Sequence, residues 1–547
     1  MSNYNLPARP SLEQLQKQSK ELLRSYRAGN ARAVDRFPRS EKKPTLADAQ
    51  FVLAREQGFP TWDALKRYVG VRCAPHGLST EPPFYRIDWV ENTLQIRAPF
   101  DPKGWDKILE VMNESRITGL QPNGQMTDDV LRTLSKSPHV THLNLNRSSV
   151  TDEGLKHLAA MPQLRSLELT GCPITNAGLK VLAELPELRG FFLYHHGGVS
   201  DVGLAHLKGC RYLERVDLLG TNAGDGVLRA LADKPALRHL KTGNKVTNAG
   251  LALLHHFPVF KTWQGGEIKV ALMEFSAEPN HLLLRGSFTD KGLAKLVGLD
   301  GLFGLNLDDR DLAVTAAALM PLAKLPNLGW LGFDATDEAM PYIAAMPRLR
   351  MLMCQDTVAG DDGFVALSKS KSIEYIWGRR CYGLSGRGFQ AMAAMPELRG
   401  LSVSCKNVND GALSTLPDFH ALREFMPMDV PDAGFRHIGK CAKLEALWCM
   451  NCRETTDAAT EQITGLSRLK TYYAGQTRIT DRSLELLAGM SSLEKMTFWN
   501  CAGVTDAGVK ALARLPKLRE LNLESMANVT RDGVAAIPTA VRVNFSA

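Results

Sequence analysis

The sequence has no hydrophobic run of membrane length. Its opening, MSNYNLPARPSLEQLQ, holds no apolar stretch of the roughly 7–15 residues a signal peptide needs, and no later run approaches the ~20 apolar residues of a spanning helix. A soluble chain in a reducing cytoplasm is expected, with no membrane association. Also missing are a phosphate-binding glycine loop, a nucleophile elbow and a dinucleotide fingerprint, so neither enzymatic activity nor a cofactor is expected. Cys449-Met450-Asn451-Cys452 has no second CxxC pair to complete a metal site. Charge imbalance is nearly absent after residue 72, where 52 Lys/Arg face 51 Asp/Glu. That balance disfavours a nucleic-acid binder, although residues 1–72, with 14 Lys/Arg against 7 Asp/Glu, are basic.

What the sequence does have is one phrase many times over. It reads Val150-Thr-Asp-Glu-Gly-Leu155, Ile174-Thr-Asn-Ala-Gly-Leu179, Val199-Ser-Asp-Val-Gly-Leu204, Val246-Thr-Asn-Ala-Gly-Leu251 and Val504-Thr-Asp-Ala-Gly-Val509. Leu155, Leu179 and Leu204 are 24 and 25 residues apart, and degenerate copies bring the expected count to about 17 repeats. The irregular interval runs from Leu251 to Leu293, where residues 263–292 lack a regular copy.

Ahead of the phrase, Leu164-x-x-Leu167-x-Leu169 and Leu518-x-x-Leu521-x-Leu523 alternate with the period of a strand. After it, Leu155, Leu158 and Met161 recur with helical spacing, and the Asp or Ser of the phrase is expected to cap that helix. Prolines such as Pro162, Pro186, Pro347 and Pro396 then end it. A strand and a helix this short cannot bury their apolar faces alone, so successive units must stack on one shared core.

The unit resembles the cysteine-containing subtype of leucine-rich repeat, Leu-x-x-Leu-x-Leu-x-x-Cys-x-x-Ile-Thr-Asp-x-Gly-Leu, over roughly residues 105–547. The resemblance implies an α/β fold: a right-handed leucine-rich-repeat solenoid, or horseshoe, with strands inside and helices outside. It implies a protein-binding scaffold whose partner lies on the concave face. It also admits an alternative, the substrate-recognition adaptor of a ubiquitin-ligase-type complex, although residues 1–72 show no convincing ligase-docking box. Chains of this kind are common in bacteria.

Residues 1–72 read as a small α-helical N-terminal module, with Ser11-x-x-Gln14, Thr45 and Thr61 as helix starts. The text from Leu46 to Leu65 is similar to a helix pair found ahead of repeat arrays in bacterial proteins. Lys17, Lys20, Arg24 and Arg27 share one helical face and form a basic stripe that would suit an acidic partner. Residues 73–104 are expected to hold a linker and a β-hairpin, Arg86–Val90 with Thr93–Arg97, that caps the array.

Among candidate sites, Cys452 shares its repeat position with Cys172, Cys381 and Cys501, and Cys449 shares that of Leu169, so the pair is expected to be framework rather than a metal or redox site. The adjacent pairs His195-His196 and His255-His256 lack two-ligand metal spacing. The outward strand positions are more telling. They are mostly polar early on, at Asn144, Asn146, Glu168, Thr170, Asp217 and Lys241, with Phe192 and Tyr194 as exceptions. From residue 353 onward they become Met353, Trp377, Arg379, Met426, Met428, Trp448, Met450, Tyr473 and Trp499. Such residues, exposed, have the composition of a binding hot spot for a protein partner whose identity the sequence does not reveal.

Overall fold

The computed structural model describes residues 12–34, 36–37, 44–56, 62, 65–66, 84–97, 104–263, 268, 270–272, 280–307 and 312–546. It divides into two compact units, residues 2–213 and 214–547.

The first unit begins with α1 (Leu12–Arg27), α2 (Ala31–Val34) and α3 (Leu46–Glu56). Leu22, Leu23, Ala33, Phe37, Ala49, Val52 and Leu53 pack between them, and Arg36 pairs with Glu56 at 2.6 Å. The helix expected from Thr61 and most of the expected linker fall outside the described residues. Strands Tyr85–Asp88 and Thr93–Ile96 pair antiparallel, and the second pairs in parallel with Gly119–Gln121. From there His142–Asn144, Ser166–Glu168 and Gly190–Phe192 add in sequence order, all parallel.

The second unit repeats the arrangement over fourteen strands from Arg215–Asp217 to Arg542–Ser546, each parallel to the next. Strands are three residues long up to Met351–Met353, and lengthen to five from Gly400–Ser404 onward. Within each unit, strand side chains such as Leu167, Leu352, Leu447 and Leu521 point into the repeat core and are fully buried. The intervening turns carry the second layer, α-helical at Asp361–Leu367 and Asp481–Leu487 and tightened to 3-10 at Gly178–Glu184 and Ala316–Lys324. Among the described residues no helix is long and apolar enough to cross a membrane.

The recurrent phrase works differently from the expectation. Its Thr, not its Asp, is the helix cap. Thr505 accepts from the Ala507 N–H, and Thr151, Thr247, Thr480 and Thr530 do the same in their repeats. Ser200 caps as expected. The Asp sits inside the first turn and turns its carboxylate to the following repeat. Asp481 accepts from the Thr505 N–H at 2.7 Å and from its hydroxyl at 2.6 Å, and Asp128–Thr151, Asp225–Thr247, Asp432–Thr456 and Asp506–Thr530 copy the pair. The Gly three residues after Thr505 leaves room for this contact, because a Cβ on Gly508 would collide with the Asp481 carboxylate.

Candidate functional site

The face of the ladder turned away from the core is where the two units differ. In the first, Asn144 and Asn146 both donate to one carboxylate oxygen of Glu168, at 2.8 and 2.7 Å, and Asn146 in turn accepts from the Thr170 N–H at 2.8 Å. This is a self-satisfied polar surface. The second unit starts in the same way, with Lys241 paired to Asp217 at 2.9 Å.

Farther along, the outward face turns apolar. Phe303, Trp330, Met351, Tyr375, Trp377, Met426, Ala446 and Trp448 form one buried cluster that is separate from the repeat core. Close approach is built into it. Gly304 leaves space for the His281 ring, which meets Trp330 edge-on at a centroid distance of 4.8 Å. Gly400 leaves space for the Tyr375 ring.

The expectation that these side chains stand exposed is corrected here. Trp377 is 5% exposed, Trp448 9% and Met426 not at all, and Met428 is buried as well. The physical reason is that the chain covers its own face. After the helix Pro258–Lys261, Trp263 packs against Phe303 at 6.2 Å, and Ile268, Val270 and Leu272 join the cluster, Leu272 fully buried. Arg350 Nη1 donates to the Ile268 carbonyl at 2.6 Å, and the Leu272 N–H donates to Glu424 Oε2 at 3.2 Å. Burial, with help from Glu424 and Glu374, pushes the Tyr375 phenol up to about 12.

The irregular interval is thus an excursion, not a degenerate repeat. His239–Lys241 pairs directly with His281–Leu283 in register, so the ladder closes behind it. A sequence signal existed in the alternation of Ile268, Val270 and Leu272 inside the overlong interval.

Met353, Arg379, Met450, Tyr473 and Trp499 remain half-buried, at the margin of the covered band or beyond it. Arg379 lies over the Trp377 ring at 5.7 Å, and Trp377 Nε1 donates to Gln355 at 3.2 Å. Beside Ala271 an open groove of about 800 Å³ runs past Tyr375, Glu424 and Trp448 to Lys470 and Lys495. Of the residues expected from sequence, Trp377, Met426 and Trp448 lie in the cluster and Met353, Met450 and Tyr473 pack against it, whereas Arg379, Met428 and Trp499 are not part of it. Sequence reasoning missed Phe303, Trp330 and Tyr375, and it did not foresee the segment that lies on them.

Elsewhere, Lys17, Lys20, Arg24 and Arg27 are all exposed on α1, and the last three border a groove of about 670 Å³ with Thr45 and Leu46. Cys449 and Cys452 are buried, their thiols pushed up by desolvation, Cys452 to about 11, and the Cys452 thiol donates to the Pro427 carbonyl at 3.4 Å. The histidine pairs make backbone contacts, His196 to Cys172 O at 3.0 Å and His255 to Lys295 O at 2.7 Å.

Residues 136–159 and 161–183 match the family model described as Leucine Rich repeat. The phrase, the parallel ladder of each unit and these matched repeats make this a leucine-rich-repeat protein. None of the curated proteins matches it in sequence. Among solved structures it is similar to TLR13 in its complex with ssRNA13, at 17% identity over 76% of this chain and 63% of that one, with a TM-score of 0.46. This chain thus spans less than two thirds of the length of that one. It is also similar to an internalin, InlF, from Listeria monocytogenes (15% identity, 78% and 94% covered, TM-score 0.26). A third is Rad7 from its yeast complex with Elc1 (14% identity, 81% and 88% covered, TM-score 0.31).

Proposed function

We propose that this protein is an interaction scaffold that holds a protein partner on the outward face of its second unit, across the strands from Met351–Met353 to Lys495–Trp499. One observation carries the reading: that face bears a second apolar cluster which the repeat core does not need. Large aromatic, methionine and arginine side chains gathered on one face are the usual anchors of protein interfaces. Binding is favoured over catalysis because the repeat framework consumes the reactive groups. Eight of the nine described thiols are buried, where desolvation favours the protonated form, as at Cys381 and Cys405, and aspartates of the phrase such as Asp457 are bonded to the next repeat's threonine.

The partly exposed Tyr473 and Trp499 are the residues to test, since the covering segment does not bury them. Alanine at either should reduce affinity capture from native lysate at least tenfold, read by quantitative mass spectrometry, without lowering the melting temperature. Capture that is unchanged in both variants removes this face as the partner site.

A further inference from the structure

We infer that the outward face of the second unit takes an extended peptide with apolar side chains at alternate positions, and that Ile268, Val270 and Leu272 are a built-in competitor for that place. The inference rests on reading this face as the protein-binding surface.

Four observations carry it. First, the ladder does not need the covering residues, because His239–Lys241 and His281–Leu283 pair directly without them. Second, the apolar residues alternate in sequence, with Ile268, Val270 and Leu272 two residues apart and all three packed into or against the same cluster. Third, two hydrogen bonds from the face reach backbone atoms. Arg350 holds the Ile268 carbonyl and Glu424 the Leu272 N–H, so any extended chain with the same spacing can satisfy them. Fourth, the receiving surface is apolar at that spot, where Leu272 is fully buried in the cluster, and Arg350 pairs with Glu374 at 2.5 Å. An apolar partner segment finds Tyr375, Met426 and Trp448 there.

The occupant is therefore a short extended segment of a protein, read through its alternate apolar side chains and its backbone. The chain's own copy, tethered at both ends, excludes weak competitors by its high local concentration.

The test uses the full chain and a fluorescent peptide of residues 262–274. In one variant residues 264–275 are replaced by a Gly-Ser linker of equal length. In a second, Ile268→Asp, Val270→Asp and Leu272→Asp are combined. Fluorescence anisotropy should show at least tenfold tighter peptide binding to the variants than to the wild type, and the peptide carrying the same three Asp substitutions should not bind. A gain in either variant, abolished by those peptide substitutions, supports the inference. Absence of the gain from both, whether because they bind no tighter or because they no longer fold, overturns it. Because the probe is the chain's own segment, this result is independent of partner capture. Lost capture in Trp499→Ala with no gain here leaves the scaffold reading standing and removes the competitor, and a gain here with unchanged capture does the reverse.

Discussion

Trp448 and Trp499 occupy outward strand positions two repeats apart, yet they should behave oppositely when truncated. Trp448 is 9% exposed and packed in the covered cluster, so Trp448→Ala is expected to cost about 3 kcal/mol of stability, while Trp499→Ala should leave the unfolding midpoint in place. The same residue-level logic governs the cysteines. Burial raises Cys172 to about 11 and Cys381 and Cys441 to about 12, which favours the neutral thiol in the folded state. Their contribution to stability is full below the ordinary thiol value and is lost as pH rises through these raised values. At pH 8 the nine described thiols should therefore react with a disulfide reagent only on unfolding, and fast labelling of Cys449 or Cys452 in the native chain would contradict the framework role. The cysteine positions were legible in the sequence because a repeat aligns them with leucines. The exposure of Trp377 was not, because burial by a segment about a hundred residues away leaves no mark on the local pattern.

At the scale of the element, the repeat is stitched by a Thr cap within each turn and an Asp that reaches the next one. Asp361 and Asp457 show the balance: burial pushes their carboxyls up, but bonds from Ser385 in one case and from Ser483 and Thr480 in the other bring them below the ordinary value. Stability from these groups is present above the ordinary carboxylate value and is lost as pH falls through the lowered one. Asp481→Ala, which strips the Thr505 N–H and hydroxyl of their acceptor, should cost about 2 kcal/mol, and Gly508→Ala a similar amount by collision with the same carboxylate. Because stability in such arrays is close to a sum over neighbours, both variants should lower the thermal midpoint, and the double variant should cost less than the two added, which a double-mutant cycle by calorimetry would measure. Sequence spacing located the strands and turns correctly, since period-2 alternation and the recurring phrase are local signals. It assigned the cap to the wrong residue of the phrase, because which of two adjacent oxygens faces its own helix depends on where the next repeat lies.

For the molecule as a whole, the central claim is that the outward face of the second unit is a binding surface on which the chain lays its own displaceable segment. The described segment residues 268 and 270–272 are held to the face by side-chain packing and by the Arg350 and Glu424 hydrogen bonds, so they should open more often than the hydrogen-bonded ladder beneath them. Amide hydrogen exchange on the intact chain, resolved by mass spectrometry, measures this directly. The amides of Val270 to Leu272 should exchange at least a hundredfold faster than those of the strands Tyr375–Gly378 and Ala446–Met450. Exchange at the same slow rate as those strands would make the segment part of the permanent core and contradict the central claim.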